Sequence, residues 1–272
     1  MSRPIALELD SVSHDFVTPD GRTYRALEQV SLSIAAGTFA AIVGPSGCGK
    51  STLLNLAAGL LAPTGGRVRV GGQPLAGLNR AATYMFQQDA LLPWKNVRDN
   101  VALGLTLAGV PALDARGRAD AWLARVGLSA FATHYPSQLS GGMRKRAAMA
   151  QNWVLNRPQL LMDEPFSALD VHTRVLMESE LLALWDAGDP TARRTVLFVT
   201  HDLEEAIALA DEVIVLSAGP ASRVLARHQV TLPRPRDLMD LRTSPDFLDL
   251  YREIWSVLKG EVVRSQSGVR RG

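Results

Sequence analysis

The sequence contains little cysteine and no long hydrophobic run. One cysteine, Cys48, in 272 residues excludes an intrachain disulfide framework and is typical of a reducing cytoplasm. The longest apolar segments, 51–66 and 101–113, are interrupted by glycine and are shorter than the roughly 20 apolar residues that a membrane-spanning helix needs. An acidic residue follows the N-terminus too early for a signal peptide. We therefore expect a soluble chain without an export signal.

Positive and negative charges nearly balance. The chain has 29 lysine and arginine residues and 27 aspartate and glutamate residues, which gives a formal net charge of +2. It lacks the dense basic block that usually marks a nucleic-acid-binding surface. We therefore expect no nucleic-acid partner.

Short apolar runs alternate with helical patterns. The run "FAAIVG" ends on a glycine-rich segment, the helical pattern "KSTLLNLAAGLL" follows, and "PQLLMDEP" and "RTVLFVTHD" are further apolar runs with a polar end. Uniformly apolar strands that alternate with helices are typical of a parallel sheet buried on both faces. The sequence therefore predicts an α/β fold with a mostly parallel sheet.

The most specific motif is "GPSGCGKST", which matches G-x-x-x-x-G-K-[ST] between a predicted strand and a predicted helix. Its glycines let backbone N–H groups wrap the phosphates of a nucleotide, while Lys50 neutralises them and the Ser51 hydroxyl binds magnesium. Cys48 occupies a variable position, where we expect a small filler rather than a redox group. The predicted phosphate site consists of Gly44, Pro45, Ser46, Gly47, Cys48, Gly49, Lys50, Ser51 and Thr52.

Polar residues follow three other predicted strands. Asp163 and Glu164 end "LLMDEP", and we expect Asp163 to hold magnesium and Glu164 to act as general base on the water that attacks the γ-phosphate. His201 ends "VLFVTHD", at the kind of strand end where a contact with the γ-phosphate is expected. Gln87, in "YMFQQDALLPW", has an amide that can reach magnesium or the attacking water. The expected magnesium ligands are Ser51, Gln87 and Asp163.

A second anion pocket is predicted in "LSGGMRKRAAMAQNW". A Ser-Gly-Gly turn followed by a basic helical run places N–H groups and positive charge at a helix N-terminus. The phosphate loop already provides one pocket for the phosphates of a nucleotide. Ser140, Gly141 and Gly142 therefore need a separate explanation.

In order, the motifs "GPSGCGKST", "MFQQDALLPW", "LSGGM", "LLMDEP", "SALD" and "THD" make nearly the whole chain similar to the nucleotide-binding subunit of an ATP-binding cassette (ABC) importer. The stretches "LLPWKNVRDNV", "DEPFSALDVHTR" and "LPRPRD" most resemble the nitrate, sulfonate and taurine importer branch. The resemblance implies a P-loop NTPase core with an inserted helical subdomain, and ATP and Mg²⁺ as cofactors. It divides the chain into a first core segment (1–88), a helical subdomain (89–156), a second core segment (157–230) and a tail (231–272).

The resemblance also implies roles for single residues. Gln87 and His201 correspond to switch residues, Asp170 to the D-loop aspartate, and Phe16 to the aromatic residue that stacks on adenine, with Tyr24 as a competitor. Ser140, Gly141 and Gly142 correspond to the signature, which in this family closes over the nucleotide held by the phosphate loop of a second copy. Cleavage of the bridging γ-phosphate then reopens the dimer. This arrangement explains the second anion pocket.

The same resemblance implies an ATPase that works as a pair of copies on an integral membrane permease and, indirectly, with a solute-binding protein. The expected location is the cytoplasmic face of the inner membrane, and the expected solute is a small anion such as nitrate, a sulfonate or taurine. The alternative is a non-transport ABC-type ATPase that acts on nucleic acid or ribosomes. Such relatives carry a long coiled coil or a second cassette, and the sequence has neither sustained heptads before the signature nor a second phosphate loop.

Some positions depart from the family pattern. The signature ends in Met143, and Lys145 stands where glutamine is usual. Gln151 and Asn152 occur in "MAQNW", where the family typically reads Ala-Arg-Ala, so a cation is missing. The cation missing at Gln151 and Asn152 leaves the predicted fold unchanged and bears on coupling or turnover rate.

Two apolar segments have alternative interpretations. In "ALLPW", Leu91, Leu92 and Trp94 belong either to the core or to a groove that accepts a permease helix. The tail predicts an amphipathic helix that is capped by Ser244 and ends at Gly260. Packing of this helix on the catalytic core is the default expectation.

Overall fold

The computed structural model describes residues 3–187 and 193–269. Its strands, in chain order, are β1 (Ile5–Val17), β2 (Thr23–Ala35), β3 (Phe39–Val43), β4 (Gly65–Val70), β5 (Gln73–Pro74), β6 (Ala82–Met85), β7 (Gln159–Asp163), β8 (Thr195–Val199), β9 (Glu212–Leu216) and β10 (Val224–Gln229). Its α-helices are α1 (Lys50–Ala58), α2 (Val97–Leu107), α3 (Ala112–Arg125), α4 (Gly141–Trp153), α5 (Val171–Asp186), α6 (Leu203–Leu209), α7 (Leu238–Leu241) and α8 (Pro245–Val269).

The larger sheet, within the described residues, has six strands in the order β10-β9-β3-β8-β7-β6. All neighbours pair in parallel except β10, which pairs antiparallel with β9 at one edge. Ala40 and Ile42 lie in an apolar cluster with α1, whereas Ala41 and Val43 lie in another with α5, α6 and α8. Because both faces are covered, β3 is apolar throughout, and the predicted α/β fold with a mostly parallel sheet is confirmed.

A second sheet of the described chain, in the order β2-β1-β4-β5, is antiparallel, and the sequence analysis did not predict it. Burial alternates along much of β1, as expected for a strand with one face toward the core. Its residues Leu7, Leu9 and Val12 pack in the same cluster as α1. The sheet thereby brings the end of β1 and the start of β2 to the helix that follows the phosphate loop.

Helices α2, α3 and α4 pack around an apolar cluster of their own, in which Val101, Leu123 and Ala147 are fully buried. The Asn96 side chain caps α2 by accepting the N–H of Asp99. These helices lie in the segment 89–156, which the resemblance assigns to a helical subdomain. The bounds of the four segments remain a prediction.

The tail helix α8 is longer than the sequence predicts. The prediction that it ends at Gly260 is wrong, since the helix continues to Val269. Glu261 is 6% exposed and accepts the Ala218 N–H at 2.8 Å. A hydrogen bond to a charged group contributes about 1.5–3 kcal/mol, more than the cost of about 1 kcal/mol for glycine inside a helix. The hydrogen bond that Glu261 accepts therefore explains why the helix continues past Gly260.

The buried face of α8 packs on the core. Phe247, Ile254 and Leu258 belong to the apolar cluster that also contains alternate residues of β3. The expectation that the tail helix packs on the catalytic core is therefore confirmed. Among the helices described, none combines the length and the apolar character needed to cross a membrane.

Candidate active site

The phosphate loop connects β3 to α1. Gly47 and Gly49 have φ of 76° and 89°, which side chains rarely adopt, and a Cβ on Gly49 would lie 2.8 Å from Leu27. Helix α1 begins without a side-chain cap and without an acidic residue in its first turn. Its first N–H groups are therefore available to an anion, as the motif predicts.

Lys50 folds back onto the loop. Its ammonium donates to the backbone carbonyls of Gly44 at 2.9 Å and Pro45 at 3.2 Å, and the residue is 6% exposed. The loop thus carries one positive charge beside its free N–H groups. Cys48 is buried, and this burial raises the pKa of its thiol, which suits a filler and not a reactive group.

A cavity of about 410 Å³ opens beside the loop. Besides loop and helix residues, it is lined by Ala26 of β2 and by the predicted residues Phe16, Tyr24, Gln87 and Glu164. The structure therefore brings predicted residues from four separate parts of the chain to one cavity. Three members of the predicted phosphate site do not line it: Gly44, Pro45 and Cys48.

Phe16 and Tyr24 are partners across β1 and β2. They are 38% and 41% exposed, and both line the cavity. Neither ring is therefore a core residue. Exposed aromatic rings beside a phosphate loop can stack on a base, so both remain candidates for the adenine contact.

Ser51 and Asp163 meet at the start of α1 and the end of β7. Ser51 Oγ donates to Asp163 Oδ1 at 3.0 Å, and the Tyr84 hydroxyl donates to Asp163 Oδ2 at 3.3 Å. Burial raises the pKa of Asp163, as does the charge of Glu164, while the two hydrogen bonds and Lys50 oppose the change. Hydroxyl and carboxylate oxygens are the ligands that Mg²⁺ prefers, so this donor set fits the predicted ion.

Tyr84 is a site residue that the sequence analysis missed. It lies on β6, and β6 pairs in parallel with β7, which ends at Asp163. Its position on the strand just before Gln87 was the available signal.

Glu164 and His201 follow the adjacent strands β7 and β8. The Glu164 N–H donates to the Val199 carbonyl at 2.8 Å, and Glu164 has a φ of 41°, in the left-handed region that is uncommon for such a residue. His201 Nδ1 lies 2.9 Å from Glu164 Oε2. The structure thus joins two of the predicted catalytic residues by a direct contact.

Gln87 is linked to Glu164 by hydrogen bonds through Ser167, a residue that the sequence did not predict. Gln87 Nε2 donates to Ser167 Oγ at 3.3 Å, and the Ser167 hydroxyl donates to the Glu164 backbone carbonyl at 3.0 Å. Three of the residues expected to act on the γ-phosphate or its water, Gln87, Glu164 and His201, are therefore connected to one another.

The signature lies at a different cavity. Ser140 caps α4 by accepting the Met143 N–H. Ser140, Gly141 and Gly142 line a cavity of about 380 Å³ together with Asp170. The phosphate loop does not contribute to this lining, so the structure does not bring the two anion pockets of one chain together.

The segment "ALLPW" has one residue in the core and one on the surface, so neither of its two predicted roles, core or permease groove, applies to all of it. Leu91 is 8% exposed and packs in the cluster of α2 to α4, whereas Trp94 is 71% exposed. Leu91 is therefore core. Trp94 is a large apolar side chain left on the surface, as a docking residue would be.

Comparisons with known proteins agree with this geometry. The ABC transporter family profile matches residues 27–167. The chain is 43% identical over 256 residues to the taurine import ATP-binding protein TauB of Rhizobium johnstonii, covering 93% of this chain and 96% of that protein. It is 40% identical over 249 residues to the nitrate import ATP-binding protein NrtD of Synechococcus elongatus, covering 91% and 89%.

Among solved structures, the fold is similar to the dimeric structure of a post-hydrolysis state of the ATP-binding cassette MJ0796 bound to ADP and Pi. The TM-score is 0.71 and the identity 31%, with 84% of this chain and 100% of that chain covered. The fold is also similar to cbiO1 from Clostridium perfringens, which is part of the ABC transporter complex cbiONQ. The TM-score is 0.70 and the identity 25%, with 84% of this chain and 90% of that chain covered.

Proposed function

This chain belongs to the ABC transporter family of ATP-binding proteins, and from that membership we propose that it is the ATP-hydrolysing subunit of an importer for a small anion. The observation that carries the proposal is one cavity lined by Lys50, Ser51 and Glu164, with His201 in contact with Glu164. Relatives named as taurine and nitrate import proteins support a small anion as the solute. The relatives named above are described as import proteins or as part of a transporter complex, which favours transport over action on nucleic acid or ribosomes.

ATP is bound by the loop in this proposal. The free N–H groups at the start of α1 and the Lys50 ammonium neutralise the phosphates, and the glycines leave room for them. Phe16 or Tyr24 stacks on the adenine. Ser51, Asp163 and Gln87 would hold Mg²⁺, which when bound supplies positive charge to the β- and γ-phosphates.

Hydrolysis is assigned to Glu164. Its carboxylate accepts a proton from the attacking water as the water oxygen bonds to the γ-phosphorus and the bond to the bridging β–γ oxygen breaks, leaving ADP and phosphate. His201 would orient the carboxylate through the 2.9 Å contact and would meet the γ-phosphate with the rest of its ring. Gln87 would position the water, supported by its hydrogen bond to Ser167.

The partner of the site is a second copy of the chain. One copy's signature residues Ser140, Gly141 and Gly142, with Asp170 nearby, would close over the nucleotide in the other copy's cavity. Two observations support this: each pocket lies apart from the other within one chain, and the related cassette MJ0796 is dimeric. Cleavage then removes the phosphate that bridges the copies, and the dimer opens.

The dimer would act on an integral membrane permease at the cytoplasmic face of the membrane, with a solute-binding protein delivering the anion on the other side. A groove of about 330 Å³ between β6 and helices α2 and α4 has the exposed residues Phe86 and Leu107 in its lining. Together with Trp94 it offers apolar surface to a permease helix.

The direct test is phosphate release from ATP by the purified chain with Mg²⁺. Lys50→Ala should remove ATP binding, because it deletes the charge at the loop. Arg116→Met removes an exposed ion pair with Asp99 in α2 and serves as control, with activity expected near wild type. Unchanged nucleotide binding by Lys50→Ala would contradict the assignment of the loop.

A further inference from the structure

Lys145 is a buried cation whose role the proposed function leaves open. It lies in α4 and is 3% exposed. Its ammonium donates to the Gln87 backbone carbonyl at 2.7 Å and lies 3.0 Å from Asp89 Oδ1. A buried ammonium is costly unless it is paired and hydrogen-bonded, and the segment after β6 supplies both partners.

Asp89 fixes the same segment to the signature at a second point. Its Oδ2 lies 3.3 Å from Arg144 Nε, and Arg144 donates to the carbonyl of Leu139 at 2.7 Å, directly before Ser140. Two consecutive side chains of α4 thus share one carboxylate. Of these two cations, Lys145 is the one for which the described residues show a contact with Gln87.

The contacts continue from Gln87 to the proposed base. The Gln87 amide donates to Ser167, the Ser167 hydroxyl donates to the Glu164 carbonyl, and Glu164 contacts His201. A continuous series of hydrogen bonds therefore runs from the helix that carries the signature to the residues at the γ-phosphate end of the cavity.

We propose that Lys145 is a positioning residue that holds the Gln87 backbone to the signature helix, so that the signature and Gln87 move together when ATP is bound. The inference rests on the proposed function. A charge-assisted hydrogen bond of 2.7 Å in a buried site resists stretching, so a displacement of Gln87 is passed to α4. Without Lys145, the Gln87 side chain loses its fixed position relative to Glu164 and the attacking water.

The test uses the full chain and three variants. Lys145→Met removes the donor and keeps the length of the side chain, whereas Lys145→Gln keeps an N–H donor without the charge. We expect kcat for ATP to fall roughly tenfold or more in Lys145→Met, with KM within about twofold, and to be largely retained in Lys145→Gln. Arg98→Met removes a 2.6 Å ion pair with Asp120 in the same group of helices and is the matched control, with kcat near wild type.

A second measurement separates positioning from general destabilisation. If Lys145 acts through Gln87, the double variant Gln87→Ala/Lys145→Met should have the kcat of Gln87→Ala alone, whereas losses that add up in the double variant would overturn the proposal. Wild-type kcat in Lys145→Met would also overturn it. If that variant does not fold, Lys145→Met/Asp89→Asn removes both charges and is read by the same criteria. An inactive wild-type chain would instead mean that the proposed function is wrong.

Discussion

His201 Nδ1 lies 2.9 Å from Glu164 Oε2, and this contact connects the ends of two adjacent parallel strands beside the phosphate loop. The histidine holds one carboxylate oxygen, which leaves the other for a water. An imidazolium would donate from both ring nitrogens, to Glu164 and to a phosphate oxygen. In the proposed mechanism the pair would therefore link the base Glu164 to the γ-phosphate beside it.

Glu164→Gln should bind Mg-ATP normally and lose turnover by about a hundredfold or more, because an amide cannot accept the proton. Rapid-quench measurement of phosphate release, with nucleotide binding measured separately, checks both parts. The same variant should accumulate as a dimer with Mg-ATP, at about twice the mass of the 29.4 kDa chain by light scattering. Full turnover would remove Glu164 from the role of base.

Phe16→Ala should weaken ATP binding more than Tyr24→Ala. Stacking of a base on an aromatic ring contributes about 1–3 kcal/mol, so we expect the Kd for Mg-ATP to rise roughly 5- to 150-fold in Phe16→Ala. Both side chains are partly exposed, so neither substitution should change the fold. Titration calorimetry gives the comparison, and a larger loss in Tyr24→Ala would assign the adenine contact to Tyr24.

The parts of the site that could be predicted from sequence are those fixed by a contiguous motif or by the ends of adjacent parallel strands. The loop around Lys50 forms locally, and Glu164 and His201 come together because the carboxyl ends of parallel strands meet at one edge of a sheet. Ser167 and Tyr84 act through side-chain contacts between segments about 80 residues apart, and no local pattern specifies these.

The end of α8 could not be predicted for a related reason. A glycine in a helical pattern is a local stop signal, but the Glu261 contact with Ala218 joins residues 43 apart. The antiparallel sheet was missed because the alternation in β1 does not identify its partners. Pairing with β4 depends on Gly65–Val70, far along the chain.

Trp94→Ala should keep its fold and its ATP binding and lose association with permease-containing membranes. The side chain is 71% exposed, so its removal leaves no cavity in the core. Leu91→Ala is the contrasting variant, since truncation of a buried leucine costs about 2–5 kcal/mol. Thermal unfolding and co-sedimentation with membranes distinguish the two, and an aggregated Trp94→Ala would show that this residue is structural.

Glu205 should make stability depend on pH. It is 4% exposed and accepts the Thr200 hydroxyl, and burial raises its pKa to about 8; Glu178 and Asp202 add to the rise, whereas Thr200 and Arg174 oppose it. Because the folded-state pKa lies above the ordinary value of 4.5, the stability that the protonated group contributes is complete below that value and is lost as pH rises through 8.

The expected result is a wild-type Tm that falls between about pH 5 and pH 9, with a smaller fall in Glu205→Gln, whose amide does not ionise. Calorimetric scans of both proteins across this range give the two slopes. Equal slopes would mean that Glu205 keeps an ordinary pKa in the folded protein.

In the proposed dimer each ATP site combines the phosphate loop of one copy with the signature of another, and mixing two inactive variants tests this arrangement. Lys50→Ala disables the loop. Gly141→Glu places a negative charge at the signature and keeps the helix, since this position has room for a side chain and a carboxylate is favourable in a first turn. Each variant alone should release almost no phosphate, because both sites of its dimer are damaged.

In an equal mixture, half of the dimers contain one chain of each kind, and these have one intact site. We therefore predict that mixing restores about a quarter of the wild-type rate of phosphate release. Mixtures of either variant with Lys50→Ala/Gly141→Glu should stay inactive, because those dimers contain no intact site. An equal mixture of the two single variants that remains as inactive as its components would contradict the shared site.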